Sequence, residues 1–385
     1  MSTSILIITP FKEIIMSLKL KLRQLAKMFL QNVLLPFIYF IFSRGKVEKG
    51  LVIFADAHHD TCPFSMRVMR HKVAKLEGVH VKEFYLDFKK CSKPALVRFI
   101  LDFMIAFGRA EQVFICDTFL PVSSCRKRSE TFVTQLWHSG GLLKKAGYDS
   151  EDCVPSFYKG EVFGGYDLWT VSAPCVAPII ASSFHQRYDN VRPLGISRTD
   201  IYYSKKYNEL CREKFFKAHP EAVGKQIVLW APTFRGNAAE PYVVGGEDIE
   251  KVCAAQGRYL IKKLHPHMQP DDGFPTESLF AVADILVTDY SSVVFDWLLY
   301  RKPFVFFAPD LKDFDTERGF YVDYHSFPTT VAQTTDELAD AIDHELSARS
   351  TADLEKCASY HMGSCDGHST DRIIAEIFGR KEADR

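Results

Sequence analysis

Hydrophobic residues follow three different rhythms along this chain. Near the amino terminus Leu18, Leu22, Leu25 and Phe29 fall at an i, i+4, i+7, i+11 spacing, with Lys19, Lys21, Arg23 and Lys27 between them. That period predicts a cationic amphipathic helix. The helix runs into Met28–Ser43, sixteen residues without a charge, which is short of the roughly 20 needed to cross a bilayer. Pro36 and the Gln31-Asn32 pair also interrupt the run, and no small-residue cleavage site follows it, which argues against a cleaved secretory signal. Two readings stand: an anchor lying in the plane of the cytoplasmic leaflet, or a helical hairpin packed on the body of the protein.

From Leu51 the rhythm changes to short apolar runs separated by helical stretches. Strands are expected over Leu51–Asp56, Val79–Leu86, Gln112–Asp117, Phe132–Trp137 and Asp167–Ser172. After a polar stretch a second series follows: Ile227–Ala231, Tyr259–His265, Ile285–Asp289 and Pro303–Phe307. Helices are expected over Glu247–Gln256, Ser292–Tyr300 and Asp336–Leu346. This alternation predicts an α/β protein of two Rossmann-like halves, with the boundary near Leu194–Lys206. The expected divisions are 1–46 (membrane-associating helical segment), 47–200 and 201–385. Ligands of open α/β sheets sit beyond the carboxyl ends of the strands, so two such domains are expected to face a central cleft that holds the ligand.

Composition narrows the classes of function. Forty-eight basic residues balance forty-eight acidic ones, so no whole-chain field draws nucleic acid, and no nucleic-acid partner is expected. The amino terminus departs from this balance, with eight basic residues from Lys12 to Lys49 against Glu13 and Glu48. Ten scattered cysteines form no CxxC pair and no zinc-type cluster with histidine, which points to a reducing compartment with neither a disulfide framework nor a structural metal. No GxGxxG follows the first strand and no GxxxxGK[ST] occurs, so dinucleotide dehydrogenases and P-loop NTPases lose their fingerprints.

Chemistry-bearing residues cluster at strand exits. Trp137-His138-Ser139-Gly140-Gly141 closes one strand and leads to Lys144-Lys145. An imidazole there, with an ordinary pKa near 6.5, suits a general base, or it is a turn histidine bonded to a backbone carbonyl. Leu264-His265-Pro266-His267 sets two imidazoles about a proline, either as phosphate-facing donors or as a structural pair. Thr288-Asp289-Tyr290-Ser291-Ser292 ends a strand and opens a helix, where hydroxyls and unpaired N–H groups can seat phosphate oxygens or simply cap the helix. Arg235 and Arg318 each stand beside a glycine, Gly236 and Gly319, at strand exits. They are placed to grip phosphate or to form surface ion pairs.

In this order the pieces resemble the CDP-glycerol glycerophosphotransferase family of teichoic-acid and related polyol-phosphate polymer synthesis, over most of residues 50–345. The resemblance rests on Trp137-His138-Ser139-Gly140 with Lys144-Lys145, Gly195-Ile196-Ser197-Arg198-Thr199-Asp200, Ala231 to Arg235, Leu264 to His267, Thr288 to Ser292 with Asp296, and Arg318 to Tyr321. It implies a GT-B-like fold with an acceptor-side amino-terminal domain and a CDP-donor-binding carboxyl-terminal domain. It further implies a peripheral location on the cytoplasmic face of the membrane, His138 as general base and His265 as a second catalytic histidine. His265, Ser291, Ser292 and Arg318 would hold the nucleotide phosphates, with Arg235, His267, Asp289 and Gly319 as further phosphate-binding candidates and Trp137, Lys144 and Lys145 on the acceptor side.

The activity implied is transfer of a polyol phosphate, glycerol phosphate first, from CDP-glycerol or a related CDP-polyol to a hydroxyl of a lipid-linked acceptor. CMP is released, in teichoic-acid-like or capsular polymer synthesis, without cofactor or metal. The alternatives are a GT-B glycosyltransferase using a nucleotide sugar and a catalytically silent membrane-bound adaptor. Departures from the family pattern are Ser139 in place of glycine, Gly141-Leu142 in place of Thr-Pro, and Thr329-Thr330 in place of a Gly-Pro after Phe327-Pro328.

Overall fold

The computed structural model describes residues 21–379 apart from 152, 238–239, 265–267, 269–272 and 349. Leu18 and Lys19, part of the expected amphipathic stretch, lie outside the described residues, as do His265 and His267. By contacts the chain divides into two units. Unit 1 holds residues up to Met66, Val73–Gln135 and Ser150–Trp169. Unit 2 holds Arg67–Lys72, Leu136–Asp149 and Thr170 onward. The sequence division at residues 200 and 201 falls within unit 2.

In unit 1 the strands are β1 (Leu51–Asp56), β2 (His80–Tyr85), β3 (Gln112–Ile115), β4 (Phe132–Gln135) and β5 (Leu168–Thr170). They run in the order β2-β1-β3-β4-β5, and the short β6 (Val191–Arg192) completes this six-stranded sheet beyond β5; the pairs from β2 to β5 are parallel, with Leu51 opposite His80 and Val52 opposite Gln112. Every residue of β1 is buried, as expected of a central parallel strand covered on both faces. The order contains one switch point: the chain leaves β1 for β2 on one side and returns to place β3 on the other.

The amino-terminal run forms one helix, α1 (Lys21–Phe42), of 22 residues. The uncharged segment alone is too short to span, but the turns before it continue the helix to a length and apolarity sufficient to cross a membrane. Pro36 does not break it. A π turn over Leu30–Leu34, in which the Leu35 amide bonds to Leu30 O, widens the backbone just before the proline ring, which would otherwise crowd the preceding turn.

One face of α1 packs on unit 1. Leu35 and Tyr39 are buried, and the Tyr39 ring lies 4.9 Å from that of Phe107. Phe107 ends α2 (Lys93–Phe107). Gln31 is buried too and donates from Nε2 to Glu161 O at 2.5 Å, while Asn32 donates to Lys159 O at 2.7 Å. The two amides that weaken the apolar run therefore pin the helix to the protein. The other face leaves Phe29, Val33, Phe37 and Phe40 exposed.

Unit 2 repeats the strand order. Its strands are β7 (Ile227–Trp230), the hairpin β8 (Arg235–Asn237) and β9 (Glu240–Tyr242), β10 (Tyr259–Lys262), β11 (Ile285–Thr288), β12 (Phe304–Phe307) and β13 (Val331–Ala332). The parallel sheet reads β10-β7-β11-β12-β13. Its core gathers Val228, Trp230, Val287, Val305 and Phe307 from the strands with Ile249, Leu338 and Ile342 from helices. The switch point here lies between β7 and β11.

Candidate functional site

Beyond the carboxyl ends of β7 and β11, within unit 2, a cavity of about 490 Å³ opens. Pro232, Thr233 and Phe234 line it from the exit of β7, and Ser291, Ser292 and Val293 from the exit of β11. Ser292 precedes α3 (Val293–Leu298), and its side chain makes no capping bond. The Ser291 hydroxyl accepts a long bond from the Val293 amide at 3.4 Å. The cavity also receives His138 and Lys144, so the candidate base and the hydroxyl-bearing strand exit share one hollow.

Local backbone geometry explains the placement of His138. Trp137 adopts φ +57°, a left-handed conformation that costs a bulky residue energy and is held only by its surroundings. Its ring is buried, edge-on to Phe184 at 5.2 Å, and leaves His138 exposed beside it with ring centroids 4.3 Å apart. Past the histidine the backbone runs close to its neighbours. A Cβ on Gly140 would come within 2.7 Å of Met362 Cε, and one on Gly141 within 2.9 Å of the Phe295 ring. Ser139, where glycine is usual, is buried and spends its hydroxyl on Gly141 O at 2.5 Å.

The segment then pairs with the Arg318–Tyr321 motif. Lys144 forms an antiparallel bridge to Phe320; the Lys145 amide donates to Gly319 O at 3.1 Å and the Tyr321 amide to Leu143 O at 2.8 Å. Tyr321 Oη accepts from the Ala146 amide at 3.1 Å and lies 2.8 Å from Asp149 Oδ2. Arg318 donates from Nε to Lys145 O at 3.1 Å, and Gly319, at φ +72°, lets the Lys145 side chain pass where a Cβ would stand 3.2 Å away. Lys144 reaches the cavity lining. Lys145, Arg318 and Gly319 form the strip behind it.

Arg235 and Asp289 are placed differently from the seat expected of them. Neither is among the cavity's lining residues. The buried guanidinium donates from Nε and Nη2 to Asp310 at 2.8 and 3.0 Å, from Nη1 to Thr233 O at 2.5 Å, and lies 3.0 Å from Asp289 Oδ2. It stacks over Tyr290 and Phe314. Asp289 in turn accepts the Thr233 and Tyr290 amides at 2.7 and 2.6 Å. The pair ties the exits of β7 and β11 together and so shapes the cavity.

Two lining residues were quoted in the sequence motifs without being given a site role. Arg198 and Asp296, both buried, form an ion pair at 2.6 Å, and Tyr202 donates to Asp296 at 3.1 Å. Burial opposes the charge on Arg198, but Asp296 together with Tyr202, Glu277 and Cys365 outweighs it and holds the guanidinium protonated. The signal for them lay in their membership of the Gly-x-x-Arg-x-Asp and Thr-Asp-Tyr-Ser-Ser motifs. Spacing alone, with almost a hundred residues between them, could not pair them.

Two Rossmann-like sheets of the same order, each with its switch point, define a GT-B-like fold, and the cavity in unit 2 is of a size that takes a small ligand. Among solved structures, the wall teichoic acid polymerase TagF matches with TM-score 0.71 over 96% of this chain and 98% of that one, at 16% identity. Among curated proteins, the teichoic acid ribitol-phosphate primase of Bacillus spizizenii is 31% identical over 357 residues, 85% of this chain and 90% of the relative. The teichoic acid ribitol-phosphate polymerase TarK of Staphylococcus aureus is 28% identical over 298 residues; the match covers 71% of this chain and only 57% of TarK.

The family model for CDP-glycerol:poly(glycerophosphate) glycerophosphotransferase matches residues 37–379. The chain belongs to this family, the teichoic acid primases and polymerases, and is an enzyme of the transferase class.

Proposed function

We propose that this protein transfers a polyol phosphate from a CDP-activated polyol to a hydroxyl of a membrane-linked acceptor, in teichoic-acid-like polymer synthesis. His138 takes the acceptor's proton; the hydroxyl oxygen forms a bond to the β-phosphorus, the bond from that phosphorus to the bridging oxygen breaks, and CMP departs. Such a step asks for positioning and charge neutralisation more than covalent chemistry. The observation that carries the reading is that His138 and the Ser291-Ser292 hydroxyls line the same cavity. Glycerol phosphate is the first candidate unit, as in the family's description. Ribitol phosphate is the second, because the primase of B. spizizenii is named for it.

Incubation with CDP-glycerol and with CDP-ribitol, using membranes as acceptor source, is expected to release CMP and to form a phosphodiester. A glycosidic product, or no CMP from either donor, overturns the reading. Within it, Ser291→Ala should weaken CDP-polyol binding about tenfold, the value of one hydrogen bond to a charged group, and Arg318→Ala should weaken it less, because Arg318 is not among the cavity's lining residues. Unchanged affinity in a calorimetric titration removes these residues from the phosphate seat. His265 as a second catalytic histidine and His267 as a phosphate donor, both outside the described residues, are part of the same proposal.

The same reading puts the protein on the cytoplasmic face of the membrane through α1. Support comes from its exposed Phe29, Val33, Phe37 and Phe40, from Val97, Leu101 and Ile105 on the exposed side of α2, and from Lys21, Arg23, Lys27 and Arg44 nearby in sequence. Basic residues near anionic lipid contribute about 1 kcal/mol each, and a buried phenylalanine about 1.5–3 kcal/mol. Phe29→Glu with Phe37→Glu should therefore lower partition onto anionic vesicles about a hundredfold or more. Equal flotation of that variant and the unaltered protein would show that another surface binds.

A further inference from the structure

The two sheets share one strand order, and so each has one switch point. In unit 2 it holds the cavity described above. In unit 1 it lies between β1 and β3, and the residues just beyond those strands have no part in the proposed transfer step. They are chemically rich. Asp56, the last residue of β1, is buried; its Oδ2 accepts the His58 amide at 2.8 Å and lies 2.9 Å from His59 Nδ1. His58 Nδ1 stands 3.7 Å from Asp56 Oδ1 and 3.9 Å from Oδ2 of Asp117, two residues past β3.

The order of these contacts fixes what the cluster can offer. Asp56 holds His59 by Nδ1, which leaves Nε2 of a half-exposed ring as the group available to a ligand. The Asp56 carboxylate lifts both imidazoles above their ordinary range, against burial and, at His58, against the nearby Lys89. The carboxylate thus favours the protonated, donor form of both histidines. Burial pushes the Asp56 carboxyl up, yet the two imidazoles and the His58 amide bring it well below the usual carboxylate range, so it stays charged beneath them. Asp117 accepts the Thr118 amide through Oδ1 at 2.6 Å and is partly exposed. Among the described residues no three His, Cys, Asp or Glu side chains are grouped as a metal ion requires.

Two imidazole donors beside a partly exposed carboxylate complement a ligand that carries an anion and a hydroxyl close together. Carboxylate accepts from alcohol, and imidazolium donates to phosphate oxygen. We propose that His58, His59 and Asp117 form an acceptor-end site on unit 1 that binds the terminal polyol-phosphate unit of the growing chain, the histidines on its phosphodiester and Asp117 on a hydroxyl. This deepens, and rests on, the polyol-phosphate transferase reading, in which the product of one transfer has the chemistry of the next acceptor. The switch point supplies the place, since strand exits that diverge to either side leave a crevice there.

The test uses the full chain and a synthetic tri(glycerol phosphate), titrated calorimetrically without donor, with glycerol alone as the control for the phosphate. The unaltered protein is expected to bind the trimer, and to bind glycerol at least about tenfold more weakly. His58→Gln with His59→Gln should weaken the trimer about tenfold or more and leave CDP-glycerol affinity and the unfolding midpoint unchanged. In turnover the same variant should raise the acceptor KM with little change in kcat. If the double variant unfolds early, His59→Gln alone, on the more exposed ring, is read for the same direction.

No binding of the trimer to the unaltered protein, equal binding by the variants, or a fall in donor affinity of the same size overturns the site. Absence of CMP release from either CDP-polyol overturns the transferase reading instead, and the donor-free titration still decides this one.

Discussion

His138→Ala is expected to lower CMP release by about 10²–10⁴-fold, the usual contribution of a positioned general base, while the CDP-polyol still binds. The separation of these effects follows from where the side chain sits. It shares the cavity with Ser291 and Ser292 but reaches it from another segment, held by the left-handed backbone at Trp137 and the close passage of Gly140 and Gly141. Removal of the imidazole leaves the strand exits of β7 and β11 untouched, so the donor's seat keeps its hydroxyls. A single-turnover rate measured beside a calorimetric Kd separates the two quantities. Undiminished turnover removes His138 from the base role; a matching loss of donor affinity makes it a phosphate contact.

Much of the frame was legible because period and burial agree in a parallel α/β protein. All nine strands expected from apolar runs are present, each within a few residues, and those covered on both faces, such as β1, β7 and β11, read as continuous hydrophobic stretches. The expectations overran the strand ends, as at Asp117 and Trp137, where the chain has already turned into the loops that carry chemistry. Four short strands went unseen: Val191–Arg192, Arg235–Asn237, Glu240–Tyr242 and Val331–Ala332. Two or three residues have no period, and only partners elsewhere in the chain make them strands. The amino-terminal helix was legible in place but not in length, because Pro36 reads as a breaker until the π turn before it is known.

Pairing between distant motifs was not legible at all. The Lys144–Phe320 bridge and the Arg198–Asp296 ion pair each join parts of the sequence whose separation carries no signal. For the same reason the His58-His59 pair passed unnoticed: Asp117, which makes it a cluster, comes from another strand.

Arg235 is where the two views part, and its substitution has the largest expected effect on stability. From sequence it is an arginine beside a glycine at a strand exit, the form of a phosphate ligand. In the fold its donors are spent on Asp310, Asp289 and Thr233 O. Burial opposes the charge, but Asp310 and Asp289 hold the guanidinium well above its ordinary range. Removal of it leaves Asp289 buried without its ion-pair partner, the one it has among the described residues, and breaking a buried pair in this way costs about 3–5 kcal/mol. Arg235→Ala should therefore unfold at markedly lower denaturant than the unaltered protein. Arg235→Lys should recover little, since an ammonium group cannot fork onto Asp310 and reach Asp289 together. Chemical denaturation followed by tryptophan fluorescence, which Trp230 and Trp297 in the unit 2 core report, reads the effect directly. A variant that keeps its midpoint and loses only CDP-polyol affinity would return Arg235 to the phosphate seat and make the ion pair incidental.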